Sequence, residues 1–178
     1  MFFNIKAIKI AKILLYADSN INESCKKREK ERKIMGKKPK VDWIYHYVAN
    51  GVECAECGKV EHPFPEHICD AHTHGMNKYG HLEFQVVIDY GPKEVGRLLN
   101  TMAFRVQAGE KFKNGDVIKG LYLDCDVPIW EMSDSSGRSV LRLIIPDKQN
   151  RMPEESDEPY KWQMLCTQIL YAGNGPAN

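Results

Sequence analysis

The 178-residue sequence has no run of about 18 uninterrupted apolar residues, so nothing in it reads as a membrane span. It lacks the glycine-rich loop that cradles phosphates, and no serine sits in the G-x-S-x-G setting of a nucleophile elbow. No internal repeat is present, and no histidine follows His81. An excess of charge is missing too: 25 Lys and Arg face 24 Asp and Glu, for a net +1. That near-neutrality hides a division, because residues 1–40 hold 12 of the basic side chains and only 4 of the acidic ones. The body that follows is therefore acidic. Nucleic-acid affinity comes largely from cations set against phosphates, so the body is a poor nucleic-acid binder.

What is present fits one globular domain. Hydrophobic residues make up 43% and charged residues 28%, and the length is enough for a single core. We divide the chain into a basic leader over 1–40, one α+β domain over 41–172 and a tail over 173–178. In the leader, Lys6, Lys9 and Lys12 interrupt the apolar residues where a secretory signal would need a clean apolar core. Their spacing predicts an amphipathic helix that lies on a membrane surface or docks on the body. The chain from Met35 onward would be self-contained, which makes the leader an appendage or a start-site extension. With no secretory signal, the six cysteines read as reduced or metal-bound thiols in a cytoplasmic protein.

Alternation in "VDWIYHYV" puts Val41, Trp43, Tyr45 and Tyr47 on one side of a predicted strand. "HLEFQVVIDYG" reads as a second strand, and "DVIKGLYLDC", "VPIWEMS" and "SVLRLIIPD" as three more. Between them, residues 92–108 form the clearest helix. Pro92 suits its first turn, Gly109 its end, and Val95, Leu98, Leu99, Met102 and Val106 make one apolar stripe. One principal helix among several strands lacks the regular alternation of a doubly wound fold, so the expectation is a mainly antiparallel sheet packed by that helix. "YKWQMLCTQIL" could close the domain as a strand or a short helix.

The stretch from Cys54 to His81 is rich in Gly, Pro and polar residues and predicts no long regular structure, with a zinc-knuckle-like loop over 54–74. Cys54 and Cys57 are separated by two residues and followed by glycine, which lets two thiolates reach one ion around a tight turn. Cys69 and His72 repeat the spacing. Together the four make a closed tetrahedral set, so the expected cofactor is a structural zinc on Cys54, Cys57, Cys69 and His72. His62, His67 and His74 compete for these places. A thioredoxin-like role is weaker, because the C-x-x-C does not sit between a strand and a helix of a βαβ unit. Cys125 and Cys166 are expected to be small buried residues.

The "DAHTHG" segment resembles the H-x-H that opens metal-dependent amidohydrolases, where two histidines at a strand end bind the catalytic ion. Those enzymes need an eight-stranded barrel of about 250 residues and later ligands that this chain lacks, so the likeness is set aside.

The segments "THGM", "YGHLEFQ", "LLN", "RVQAGEKFKNGD" and "IIPDKQNRMP" follow the order and spacing of a bacterial family. Over residues 70 to 165 the chain resembles the domain of unknown function 4262 family. The resemblance marks Thr73, Gly75, Gly80, His81, Glu83, Asn100 and Gly109 as recurring positions without assigning them a role. Asp70, His72 and His74 depart from the aromatic or aliphatic residues of many relatives, which suggests a zinc-bearing branch. Since glycine permits close backbone approach, Gly80-His81 ahead of Glu83 forms a candidate pocket rim with Thr73, His74 and Gly75. The first functional expectation is thus a zinc-stabilised domain that binds a small molecule or a protein near His81. The alternatives are a metal-assisted or His/Glu acid–base enzyme, and a zinc-ribbon nucleic-acid binder that uses the basic leader.

Overall fold

The computed structural model describes residues 40–51 and 64–171. The leader and the segment that carries Cys54, Cys57 and His62 lie outside the described residues, as does Cys25. From Asp42 onward the described residues belong to one compact unit. It is α+β, as the arrangement of predicted elements indicates.

Strand β1 (Ile44–Ala49) pairs antiparallel with β2 (Ile68–His74), and β2 pairs antiparallel with β3 (Glu83–Ile88). A 3-10 turn at Met76–Tyr79 joins β2 to β3, and helix α1 (Pro92–Gln107) follows β3. The chain then runs through β4 (Val117–Ile118), β5 (Val127–Ser133) and β6 (Ser139–Leu143). It ends in a 3-10 helix at Tyr160–Met164 and the short helix α2 (Thr167–Tyr171). The six strands form one sheet in the order β1-β2-β3-β6-β5-β4, in which only β3 and β6 run parallel. No helix among the described residues is long and apolar enough to cross a membrane.

Helix α1 forms where its apolar periodicity places it. Pro92 occupies the first turn, and Val95, Leu98, Leu99, Met102 and Val106 are all buried. They pack on the sheet face made by Cys69, Ala71, Phe84, Val86, Ile129, Leu141 and Leu143. Trp43 seals one end of this layer, with its ring edge-on to Phe104 at 4.8 Å and its Nε1–H donating to Asn100 Oδ1 at 2.9 Å. The opposite sheet face packs on the C-terminal segment through Phe64, Ile68, Val87, Ile88 and Leu170.

Two five-residue turns share one construction. In Asp134–Arg138, Asp134 Oδ1 accepts from the backbone N–H of Ser136 and of Arg138, and the Arg138 side chain donates to Oδ2. In Asp147–Arg151, Asp147 accepts in the same way from Gln149, Arg151 and the Arg151 side chain. Each turn needs a left-handed residue at its fourth position, supplied by Gly137 (φ 81°) and Asn150 (φ 59°).

The main departure from expectation is β2. Of the 54–74 region, residues 64–74 are described, and Ile68–His74 is a strand whose first six residues are buried. The polar sequence "CDAHTH" misleads because its polar groups are satisfied inside the fold: Asp70 by His72 and Gln85, and Thr73 by Glu83 and the Phe84 N–H. The segment "DVIKGLYLDC" contributes only the two residues of β4, and Leu123 at its tip is fully exposed. "YKWQMLCTQIL" resolves into the 3-10 helix and α2.

Candidate metal centre

Strand alternation sorts the predicted ligands. Along β2, Cys69 and Ala71 face α1, whereas Asp70, His72 and His74 face the other way. The structure therefore does not bring Cys69 and His72 together: an ion on one face of β2 cannot take both side chains. Cys69 is buried in the apolar layer, its thiol directed at Val86 O at 3.7 Å, and burial pushes its pKa well up. Such a thiol resists the deprotonation that metal binding needs. Cys54 and Cys57 lie outside the described residues. His67 is exposed at a left-handed position (φ 63°) beside Glu66. Cys125 and Cys166 are half-buried instead of buried.

What β2 assembles instead is a cluster of imidazoles. His46 stands directly opposite His72 across the β1–β2 pairing, and His74 follows His72 two residues along the same face. A ring nitrogen of each lies within 4.8 Å of the others. The ring centroids are 5.7 Å apart for His46 and His72, 6.1 Å for His46 and His74, and 4.7 Å for His72 and His74. Metal–nitrogen bonds of about 2.0–2.1 Å put tetrahedral ligand nitrogens about 3.3 Å apart. To reach that spacing around an ion, the exposed His46 and half-buried His74 would have to turn inward, while His72 is buried and held.

What holds His72 is Asp70. Its Oδ1 lies 3.1 Å from His72 Nδ1 and also accepts from Gln85 Nε2 at 2.8 Å, while Tyr171 donates to Oδ2 at 3.3 Å. Burial alone would raise the Asp70 pKa, but the bonds from His72, Gln85 and Tyr171 outweigh it and hold the carboxyl below its ordinary value. A carboxylate behind a ligating imidazole is the usual second partner of a metal-bound histidine. At His74, burial and then the neighbouring His72 lower the pKa, so the ring is a neutral nitrogen donor at pH 7.

The other candidates serve the backbone. Glu83 accepts from Thr73 Oγ1 at 2.7 Å and from the N–H groups of Gly75 and Met76 at 2.8 and 3.0 Å, so it anchors the start of the 3-10 turn. Gly75 adopts φ 122° against Trp43, and Gly80 closes the turn at φ 63°. Both nitrogens of His81 are engaged. Nδ1 meets Leu82 O at 2.7 Å, and Nε2 accepts from the Phe112 N–H at 3.0 Å, with the ring between Phe84 and Phe112. Thr73, Gly75, Gly80, His81 and Glu83 thus tie strand ends together. Neither of the two cavities near Tyr90 and Tyr160, of about 470 and 300 Å³, is lined by any of them.

No family model, curated protein or solved structure matches the chain. The reading of the centre therefore rests on its geometry.

Sequence reasoning missed His46 as a partner of the H-x-H pair. The signal was present: the alternation that puts Trp43, Tyr45 and Tyr47 on one side of β1 puts His46 on the other. Gln85 and Arg142 carry no local signal, because the parallel β3–β6 pairing joins residues 57 apart in sequence.

Proposed function

We propose that this domain is a metal-assisted enzyme whose centre is one divalent first-row metal on His46, His72 and His74. The observation that carries the reading is the convergence of three imidazoles on one sheet face, one of them backed by the buried Asp70 carboxylate. Three protein ligands leave a coordination position for water or substrate, unlike the closed set expected of a structural zinc. When bound, such an ion polarises an oxygen of the substrate or makes its own water a nucleophile near neutral pH. The chain's part is to orient His72 through Asp70, to present neutral His74, and to leave the exposed His46 side open for entry. Zinc is the favoured metal among those that suit imidazole, a group that also includes copper, nickel and iron.

Binding near His81 finds less support, since both ring nitrogens already have partners. The nucleic-acid reading depends on the leader, which lies outside the described residues. The resemblance to the domain of unknown function 4262 family stays part of the proposal. Its positions Thr73, Gly75, Glu83 and Asn100 act as ties around the turn after β2.

The test is zinc binding by equilibrium dialysis on the full chain with Cys54→Ser and Cys57→Ser, which removes the competing thiolates. One ion per chain should remain, and His46→Ala or His74→Ala should lower its affinity at least tenfold. No binding in this double-serine background, or indifference to His46, would refute the three-histidine centre.

A further inference from the structure

We infer that Gln85 is a positioning residue for His72, at the middle of a one-way chain of hydrogen bonds from buried Arg142 that decides which His72 nitrogen carries the proton. Its purpose rests on the metal reading above; its geometry does not.

His46, His72, Gln85, Arg142 and Trp130 stand in one cross-strand row over β1, β2, β3, β6 and β5. Arg142 is fully buried and, although burial lowers its pKa to about 10, remains a cation at neutral pH. A guanidinium only donates. Its Nε–H donates to Gln85 Oε1 at 3.0 Å, so the oxygen end of the amide must face Arg142. The Gln85 Nε2 end is thereby turned the other way, where it donates to Asp70 Oδ1 at 2.8 Å and to Thr167 Oγ1 at 3.0 Å.

Thr167 cannot reverse the order. Its oxygen also accepts from Arg142 Nη2 at 2.9 Å, and its own proton goes to Ser133 O at 2.9 Å. Asp70 accepts at both of its oxygens, from Gln85 Nε2 at Oδ1 and from the Tyr171 hydroxyl at Oδ2. Its contact with His72 Nδ1 at 3.1 Å therefore requires the proton on Nδ1. That leaves the His72 Nε2 lone pair bare for a metal. An imidazole without such a partner favours the opposite tautomer, so the chain of bonds spares the site a rearrangement before it binds. Every donor in the chain has one acceptor direction open to it, and the direction is set at Arg142.

The tautomer can be read without metal. In the metal-free full chain with ¹⁵N-labelled histidine, long-range ¹H–¹⁵N correlation should show His72 with a protonated Nδ1 and a bare Nε2. Gln85→Leu removes the donor that fixes Asp70 Oδ1, so the carboxyl can turn away from Nδ1; both tautomers should then appear at His72, while His81, which is held by Leu82 O and the Phe112 N–H, stays unchanged. The same variant should weaken zinc binding about tenfold to a hundredfold, the usual effect of removing an outer partner of a ligand. A wild-type His72 protonated on Nε2 overturns the proposal, and that measurement stands even if Gln85→Leu fails to fold. Wild-type zinc affinity in a folded Gln85→Leu also overturns it. The protonated Nδ1 in a wild-type chain that binds no metal would support the hydrogen-bond chain and refute the metal reading, so the two failures are told apart.

Discussion

Replacing Arg142 with methionine should destabilise the domain by about 2–4 kcal/mol. The guanidinium donates to Gln85 Oε1, Thr167 Oγ1 and Gln163 O in the interior and to Leu165 O, which is part-buried. Gln85 and Thr167 keep each other as partners through the 3.0 Å Nε2–Oγ1 bond. The two backbone carbonyls at 2.7 and 2.5 Å do not, and an orphaned buried acceptor costs about 1–3 kcal/mol. Against this, the variant no longer has to keep a cation out of water, and the methionine methylenes fill part of the space. The orphaned carbonyls outweigh that relief because they belong to the segment that covers the sheet. Asp70 also loses its nearest buried cation. Urea unfolding should therefore show a midpoint lower by about 1–2 M with an unchanged slope, given slopes of about 1–3 kcal/mol/M for domains of this size. A change within about 0.5 kcal/mol would refute the view that Arg142 ties the C-terminal segment to the sheet.

Other substitutions separate structural from chemical roles. Gly75→Ala should cost about 1–3 kcal/mol in chemical denaturation, since an alanine at φ 122° is strained and its Cβ would sit 3.2–3.3 Å from Trp43 Cβ and Cα. Gly96→Ala should be neutral or slightly stabilising by thermal melting. Its Cβ meets only the outer end of the Tyr45 ring, which can swing outward, while the helix gains about 1 kcal/mol of propensity. Glu83→Gln should lower stability by about 1–3 kcal/mol in urea and leave zinc affinity within about threefold, because its bonds to Thr73, Gly75 and Met76 hold a turn and no ligand. On acidification, stability measured in urea should begin to fall below about pH 6.5. There the unfolded chain protonates His74, whose folded pKa is lower, and the loss should deepen below about pH 3.8 as Asp70 and Asp134 follow the same rule. Stability that rises on acidification through this range would contradict those directions.

The fold class was legible because its signals are local. The stripe from Val95 to Val106 and the Pro92 start place α1 to within a residue at its end, alternation finds β1, and the short β-branched or aromatic segments find β3, β5 and β6. The two Asp-x-x-(Gly or Asn)-Arg turns also have a local cause, since their positive-φ residue and anchoring carboxylate are neighbours in sequence.

The site was harder to read for two physical reasons. Buried polar residues make a strand look like a loop, so Asp70, His72 and Thr73 concealed β2 until their partners were seen. Equal sequence spacing then suggested that Cys69 and His72 act together, but the period of two in a strand sends residues three apart to opposite faces. The H-x-H pair was set aside together with the barrel it usually occupies, although two strand-borne imidazoles need only a third from the next strand.

Cobalt(II) titration tests the three-histidine centre most directly, because its spectrum reports both ligand type and coordination number. In the full chain with Cys54→Ser and Cys57→Ser, the account predicts one equivalent of cobalt with the visible bands of a four- or five-coordinate site. No thiolate-to-cobalt charge-transfer band should be present, and His46→Ala should abolish the spectrum. A thiolate band from Cys69, or a visible spectrum unchanged by His46→Ala, would contradict it.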